Sequence, residues 1–199
     1  MSLDLILASG STIRRDLLLN ANVKVEVKIA RVDEDAIKAA MLEDGVKPRD
    51  LADALAEAKA RKVSLKSPGS FVLGCDQVLD FEGTLLSKPG SQEQALTQLK
   101  LLNSKVHKLF SAAVIYQDGQ PVWRHIGEVK LHMRQSSDSF LEDYISRNWD
   151  SIQHSVGAYK LEEEGVRLFQ KIEGDYFNVL GLPLLEVLAF LTLRGVIQG

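Results

Sequence analysis

Cysteine is almost missing: Cys75 stands alone in 199 residues, so no disulfide can close within the chain, and a reducing compartment is the expectation. Excess positive charge is missing too. Lys and Arg total 24 against 27 Asp and Glu, a net charge of -3, which excludes bulk affinity for nucleic acid but not a local basic pocket for phosphates. No apolar run is long. The most apolar segment, Leu182 to Leu193, contains Pro183 and Glu186 and falls short of the ~20 apolar residues a membrane span needs. Met1-Ser2-Leu3-Asp4 has no basic region before an apolar one, so no secretory leader is expected. The expectation is a cytoplasmic protein without a membrane or nucleic-acid partner. Neither G-x-x-x-x-G-K-[ST] nor G-x-G-x-x-G occurs, and no Cys/His zinc spacing exists. There is no internal repeat, low-complexity segment or linker, so residues 1–199 read as a single domain. With 45% hydrophobic residues, that domain can bury a sizeable core.

What is present reads as mixed α/β. Leu3 to Ala8 is an apolar first strand, broken by Ser9-Gly10-Ser11, with Ser11 an N-cap for the helix that follows. Strand, small-residue loop and helix aim backbone N–H groups at an anion. Arg14 and Arg15 occupy the helix's first turn, unfavourable against its dipole unless they face an anionic ligand. Val23 to Ile29 alternates like a half-solvated strand. Asp33-Glu34-Asp35 then either caps a helix over Ala36 to Leu42 or contributes to a metal site. Pro48 opens a long helix to about Leu65. On its face Ala52, Ala56, Lys59 and Val63 form one stripe, placing a lysine among small and apolar residues.

The next segment dominates the chain. Phe71 to Gly74 reads as a buried strand whose apolar run ends on Asp76, and Glu82-Gly83 reads as a hairpin turn returning Lys88 toward it. A carboxylate at the mouth of a buried strand is costly unless charge or hydrogen bonds meet it. A lysine or a metal ion would do so; the plain alternative is an Asp–Lys pair that only stitches the hairpin. Ser91 and Gln94 form a capping box for a helix to about Leu102. Val106 to Tyr116 and Val122 to Met133 read as strands joined around Asp118-Gly119. Ser137 to Arg147 is an amphipathic helix, Val156 to Gly165 a loop, Val166 to Ile172 a strand, and Pro183 begins the last helix. Early alternation of strands and helices, with antiparallel strands in the middle, gives a mixed, twisted β-sheet flanked by helices.

Seven segments occur in a fixed order: Leu7-Ala8-Ser9-Gly10-Ser11-x-x-Arg14, Asp33-Glu34, Ala58-Lys59-Ala60, Gly74-Cys75-Asp76-Gln77, Ser87-Lys88-Pro89, His107 and Asn178-Val179-Leu180-Gly181-Leu182-Pro183. Together they resemble the Maf family of nucleoside triphosphate pyrophosphatases, from Leu3 to about Leu188. The resemblance implies a fold like that of the inosine triphosphate pyrophosphatases, two lobes with a central cleft. It implies cleavage of a nucleoside triphosphate to the monophosphate and pyrophosphate, a divalent cation (Mg²⁺ or Mn²⁺), and a homodimer. Residue by residue, Asp76 matches the general base, and Glu34, with Asp76, the metal site. Ser9, Arg14, Lys59 and Lys88 match the residues around the triphosphate.

This chain departs from the common family pattern at three positions tied to choice of base. Ile13 stands where many members have arginine, Gln77 where many have threonine, and Glu162 where many have glutamine. These substitutions resemble the branch acting on 7-methyl-GTP rather than the branch acting on dTTP and UTP. Glu162, Glu163 and Glu164 are adjacent, so a one-residue slip changes which carboxylate faces the base. Gln77 has both a carbonyl and an amide to offer. Two other readings compete. One is a nucleotide-binding regulator of septum formation without turnover, which need not keep Asp76, Glu34 and both lysines. The other is a sugar-nucleotide nucleotidyltransferase, which usually has a loop with two close glycines where this chain has Gly10 alone.

Overall fold

A computed structural model describes residues 5–198. The expected first strand begins at Leu3, and its residues Leu3 and Asp4 lie outside the described residues. Its core, β1 (Leu5–Leu7), is wholly buried. Ser11 caps α1 (Thr12–Asn20) by accepting from the Arg14 N–H. β2 (Val25–Val27) and α2 (Glu34–Glu43) follow, the latter capped by Asp33. α3 (Pro48–Ser64) carries Pro in its first turn. Then come β3 (Phe71–Phe81), β4 (Thr84–Leu86), α4 (Gln92–Leu102), β5 (Val106–Gln117), β6 (Gln120–Met133) and α5 (Asp138–Ile152). Two short 3-10 turns, Val156–Ala158 and Glu164–Leu168, precede β7 (Phe169–Glu173), α6 (Tyr176–Val179) and α7 (Leu184–Leu193).

Several sequence expectations shift. β3 does not end before Asp76 but runs through it for 11 residues, because β5 pairs with it from Phe71 to Asp80 and satisfies the backbone groups of that edge throughout. The Val23–Ile29 alternation overstates β2. Val23 is buried, yet Val27 and Ile29 are exposed, since β2 is the outer strand and the chain turns away after it. β7 begins at Phe169, three residues after the expected Val166, because Glu164–Leu168 winds into a 3-10 turn. α5 continues to Ile152, whose buried side chain holds its last turn to the core. The capping box at α4 is displaced: Ser91 accepts from Gln94 N–H, but the Gln94 side chain accepts from Gly90 rather than Ser91.

The sheet has the order β2-β1-β3-β5-β6-β7, with β4 also on β3. β1 is parallel to β2 and β3, and the other pairings are antiparallel. Side chains alternate between its faces. Val78, Ala112 and Val114 face α3, packing against Leu51, Leu55 and Ala56. On the opposite face lie two cores. Leu73, Cys75, Ala113 and Ile115 pack with Leu17, Leu18 and the α7 residues Val187 and Leu191. Leu79, Leu109, Val129 and Leu131 pack with Leu99, Leu141 and Tyr144. Between them, in register across three strands, stand Gln77, Ser111 and Gly127. This row of polar and small residues divides the apolar face in two.

Candidate active site

The cleft follows from strand pairing. β1 leaves β3 after the Leu7–Leu73 pair, and β4 joins the same edge only at Leu79. Gly74 to Val78 therefore has no strand on that edge, where a cavity of about 1060 Å³ opens. Ligands in open α/β sheets bind beyond the carboxyl ends of parallel strands, and β1 ends here. Ser9, Ile13, Arg14, Glu34, Lys59, Asp76, Gln77, Lys88 and Glu162 all line this cavity.

Asp76 and Lys59 meet because helix and strand touch. A Cβ on Gly74 would lie 2.2 Å from the Ala56 carbonyl oxygen and 2.6 Å from the Ala60 nitrogen, so only glycine permits the approach. Asp76 is two residues on, on the same face, and Lys59 one turn along α3. Lys59 Nζ lies 2.6 Å from Asp76 Oδ1 and 2.9 Å from Glu34 Oε1. Lys59 and Asp76 are each 8% exposed. Neither charge is stranded, since each satisfies the other. Burial pushes the Glu34 carboxyl up, but the Lys59 hydrogen bond and the charges of Lys59, Lys38 and Lys88 outweigh it and hold it below its usual range. Lys88, expected beside Asp76, is exposed on the cavity wall and makes no ion pair to a described residue. The helix lysine, brought in by the close approach at Gly74, meets the aspartate instead.

Arg14 is a brace as well as a cavity group. Its Nε donates to the Gly181 carbonyl at 2.7 Å, and its Nη1 to the Cys75 carbonyl and Ser9 Oγ. Both Nη2 hydrogens are uncommitted among the described residues. Gly181 has φ +92, and a Cβ there would press on Arg14 Nη2 at 3.1 Å, which accounts for glycine in that motif. Ser9 Oγ accepts from Arg14 and from the Ser11 N–H, leaving its hydrogen free for an anion. Arg15 lies outside the cleft and pairs with Asp16.

The glutamates separate cleanly. Glu163 accepts from Ser151 and Lys160, while Glu164 binds Arg147, Arg167 and Asn148, which hold its carboxyl down to about 2. Glu162 makes no ion pair among the described residues and is the glutamate that lines the cavity. Sequence reasoning missed Tyr159 on the same wall. Its hydroxyl lies 2.7 Å from His107 Nε2, and burial keeps His107 neutral, its pKa lowered to about 4. Gln77 does not offer both ends of its amide: its Nε2 donates to Ser111 Oγ and to the Asn178 and Val179 carbonyls. Ser111 was legible as the lone hydroxyl inside the apolar run Leu109 to Ile115.

A divalent cation fits the donor set. Asp76 and Glu34 each give one oxygen to Lys59 and keep another, and Mg²⁺ typically takes one or two carboxylates plus substrate phosphates and water. No helix among the described residues is long and apolar enough to cross a membrane.

The sequence of this chain matches a known family. The family model described as Maf-like protein matches residues 4–193, and the chain belongs to the Maf family. A protein of Ruegeria pomeroyi named nucleoside triphosphate pyrophosphatase is 64% identical over 198 residues, covering 100% of both chains. One of Caulobacter vibrioides with the same name is 51% identical, covering 96% of each. A Mesorhizobium japonicum protein named 7-methyl-GTP pyrophosphatase is 45% identical over 199 residues, again 100% of both.

Proposed function

We propose that the protein hydrolyses nucleoside triphosphates to the monophosphate and pyrophosphate, preferring 7-methyl-GTP to dTTP and UTP. The observation that carries this reading is the Asp76–Lys59–Glu34 cluster set on the unpaired stretch of β3. The names of full-length relatives point the same way. Asp76 Oδ1 is held by Lys59, and Oδ2 makes no hydrogen bond to a described residue. Oδ2 takes a proton from water as the water oxygen bonds to the α-phosphorus. The bond from that phosphorus to the oxygen bridging to the β-phosphorus breaks, and pyrophosphate leaves with the electron pair. Lys59, Lys88, the Arg14 Nη2 group and the Ser9 hydroxyl meet the growing charge in a site already shaped for it. Glu34 through the oxygen Lys59 leaves free, and Asp76 through the Oδ1 it shares with Lys59, would hold Mg²⁺ or Mn²⁺, which when bound neutralises phosphate charge as a Lewis acid, so that Oδ2 stays free to take the proton.

The preference rests on charge. A 7-methylguanine ring is cationic, and Glu162 and Ile13 make the base end of the cleft more negative than the glutamine and arginine of many family members. On the same reading the chain is a single domain that works as a cytoplasmic homodimer. The test is pyrophosphate release across a nucleotide panel with Mg²⁺ and Mn²⁺, for wild type and Glu162→Gln. A charge-assisted contact is worth roughly 1.5–3 kcal/mol, so the variant loses about tenfold or more of the preference. Equal kcat/KM for 7-methyl-GTP and UTP in the wild type overturns the preference, and no release from any nucleotide overturns the activity.

A further inference from the structure

Gln77 sits where the two apolar cores divide, half-buried at the cavity. Its amide nitrogen has three acceptors: Ser111 Oγ at 2.9 Å, the Asn178 carbonyl at 2.9 Å and the Val179 carbonyl at 3.0 Å. Carbonyl oxygens only accept, so the amide cannot be turned round without setting oxygen against oxygen. Ser111 enforces the same sense. It is fully buried and donates its own hydrogen to the Asn178 carbonyl at 2.6 Å, so toward Gln77 it can only accept. Asn178 is fixed in turn. Its backbone and side-chain N–H groups both bond Asp175, and it lies so close over Gly127 that a Cβ there would be 1.9 Å from its Oδ1. Two oxygens of this chain of bonds have no partner among the described residues: Asn178 Oδ1, which is buried against Gly127, and Gln77 Oε1, which belongs to a cavity-lining residue and is the one a ligand can reach.

Resting on the pyrophosphatase reading, we propose that Ser111 is a specificity-determining positioning residue: it fixes Gln77 so that only its carbonyl faces the cleft, and the site selects bases that donate an N–H there. Glu162 lines the same cavity and is a second acceptor. Guanine presents adjacent donors, the ring N1–H and the exocyclic amine. Uracil and thymine present one N–H between two carbonyls, which an acceptor-lined wall opposes. A buried polar group left unpaired by the wrong base is what gives such a site its discrimination.

The test compares kcat/KM for GTP with that for ITP, which lacks the exocyclic amine, and for 1-methyl-GTP, which lacks the N1–H. In the wild type at least one ratio is about tenfold or more. Gln77→Met, of similar length and without hydrogen bonds, brings that ratio close to one. Ser111→Ala lowers it several-fold while kcat for GTP and the melting temperature change little. In the Gln77→Met background, Ser111→Ala changes the ratio no further, because Ser111 acts only through Gln77. Wild-type ratios near one, a ratio insensitive to Ser111→Ala, or independent additive effects of the two substitutions each overturn the proposal. Failure of the wild type to release pyrophosphate from these three nucleotides and from 7-methyl-GTP refutes the underlying activity instead.

Discussion

Gly74→Ala adds one methyl group that never touches a ligand, yet it should cripple the site. The new Cβ would stand 2.2 Å from the Ala56 carbonyl oxygen, whereas ordinary contact begins near 3.4 Å, so α3 must retreat by 3.4 − 2.2 = 1.2 Å. The obstacle is backbone on both sides, and no rotamer change relieves it. Overpacking of this kind costs about 1–3 kcal/mol, and in a chain of this size each kcal/mol lowers the melting temperature by about 2–4 °C. Lys59 rides on α3, so the same retreat stretches its 2.6 Å contact with Asp76 beyond hydrogen-bond length. A misplacement of about 1 Å can cost ~10²-fold in rate. Calorimetry should therefore show a folded variant with a modest drop in melting temperature, and a pyrophosphate-release assay a fall in kcat of about a hundredfold. Wild-type turnover in a folded Gly74→Ala protein would refute the idea that helix–strand contact sets the catalytic geometry.

Lys59→Ala and Lys88→Ala should each lower kcat/KM by about 2–4 kcal/mol in transition-state terms without unfolding the protein; wild-type activity in either removes that lysine from the phosphate site. Burial lowers the His107 pKa from 6.5 to about 4. The unfolded chain then binds the extra proton between those values, so stability is complete above pH 6.5 and declines as pH falls toward 4. The loss is about 3 kcal/mol, and denaturant titrations of wild type and His107→Gln across this range should differ in slope; parallel curves would contradict a buried neutral histidine.

Much of the cleft could be read from order and residue type. Ser9, Arg14, Glu34, Lys59 and Asp76 are chemically odd where they stand, and the fold brings them to one cavity. A lysine on an apolar helical stripe and an acid in an apolar strand each stood out as a charge in need of a partner. What could not be read was which lysine meets the acid. Lys88 is nearer to Asp76 in sequence, but the Gly74 contact that brings Lys59 in depends on the helix-to-strand distance, which no local pattern carries. The direction of the Gln77 amide was equally hidden, because its acceptors, the Asn178 and Val179 carbonyls, come from about a hundred residues away. Strand ends were misjudged where tertiary pairing overrides local pattern: β5 carries β3 through the charge at Asp76, whereas at β2 the outer position leaves apolar residues bare.

Asp76→Asn tests the central claim most directly. The substitution preserves shape and removes the carboxylate that takes the proton from water. Steady-state pyrophosphate release from the best nucleotide of the panel, with the melting temperature measured alongside, should show kcat lowered by ~10²-fold or more in a folded protein. A folded Asp76→Asn variant with near-normal kcat would contradict the assignment of Asp76 as the base, and with it this account of the cleft.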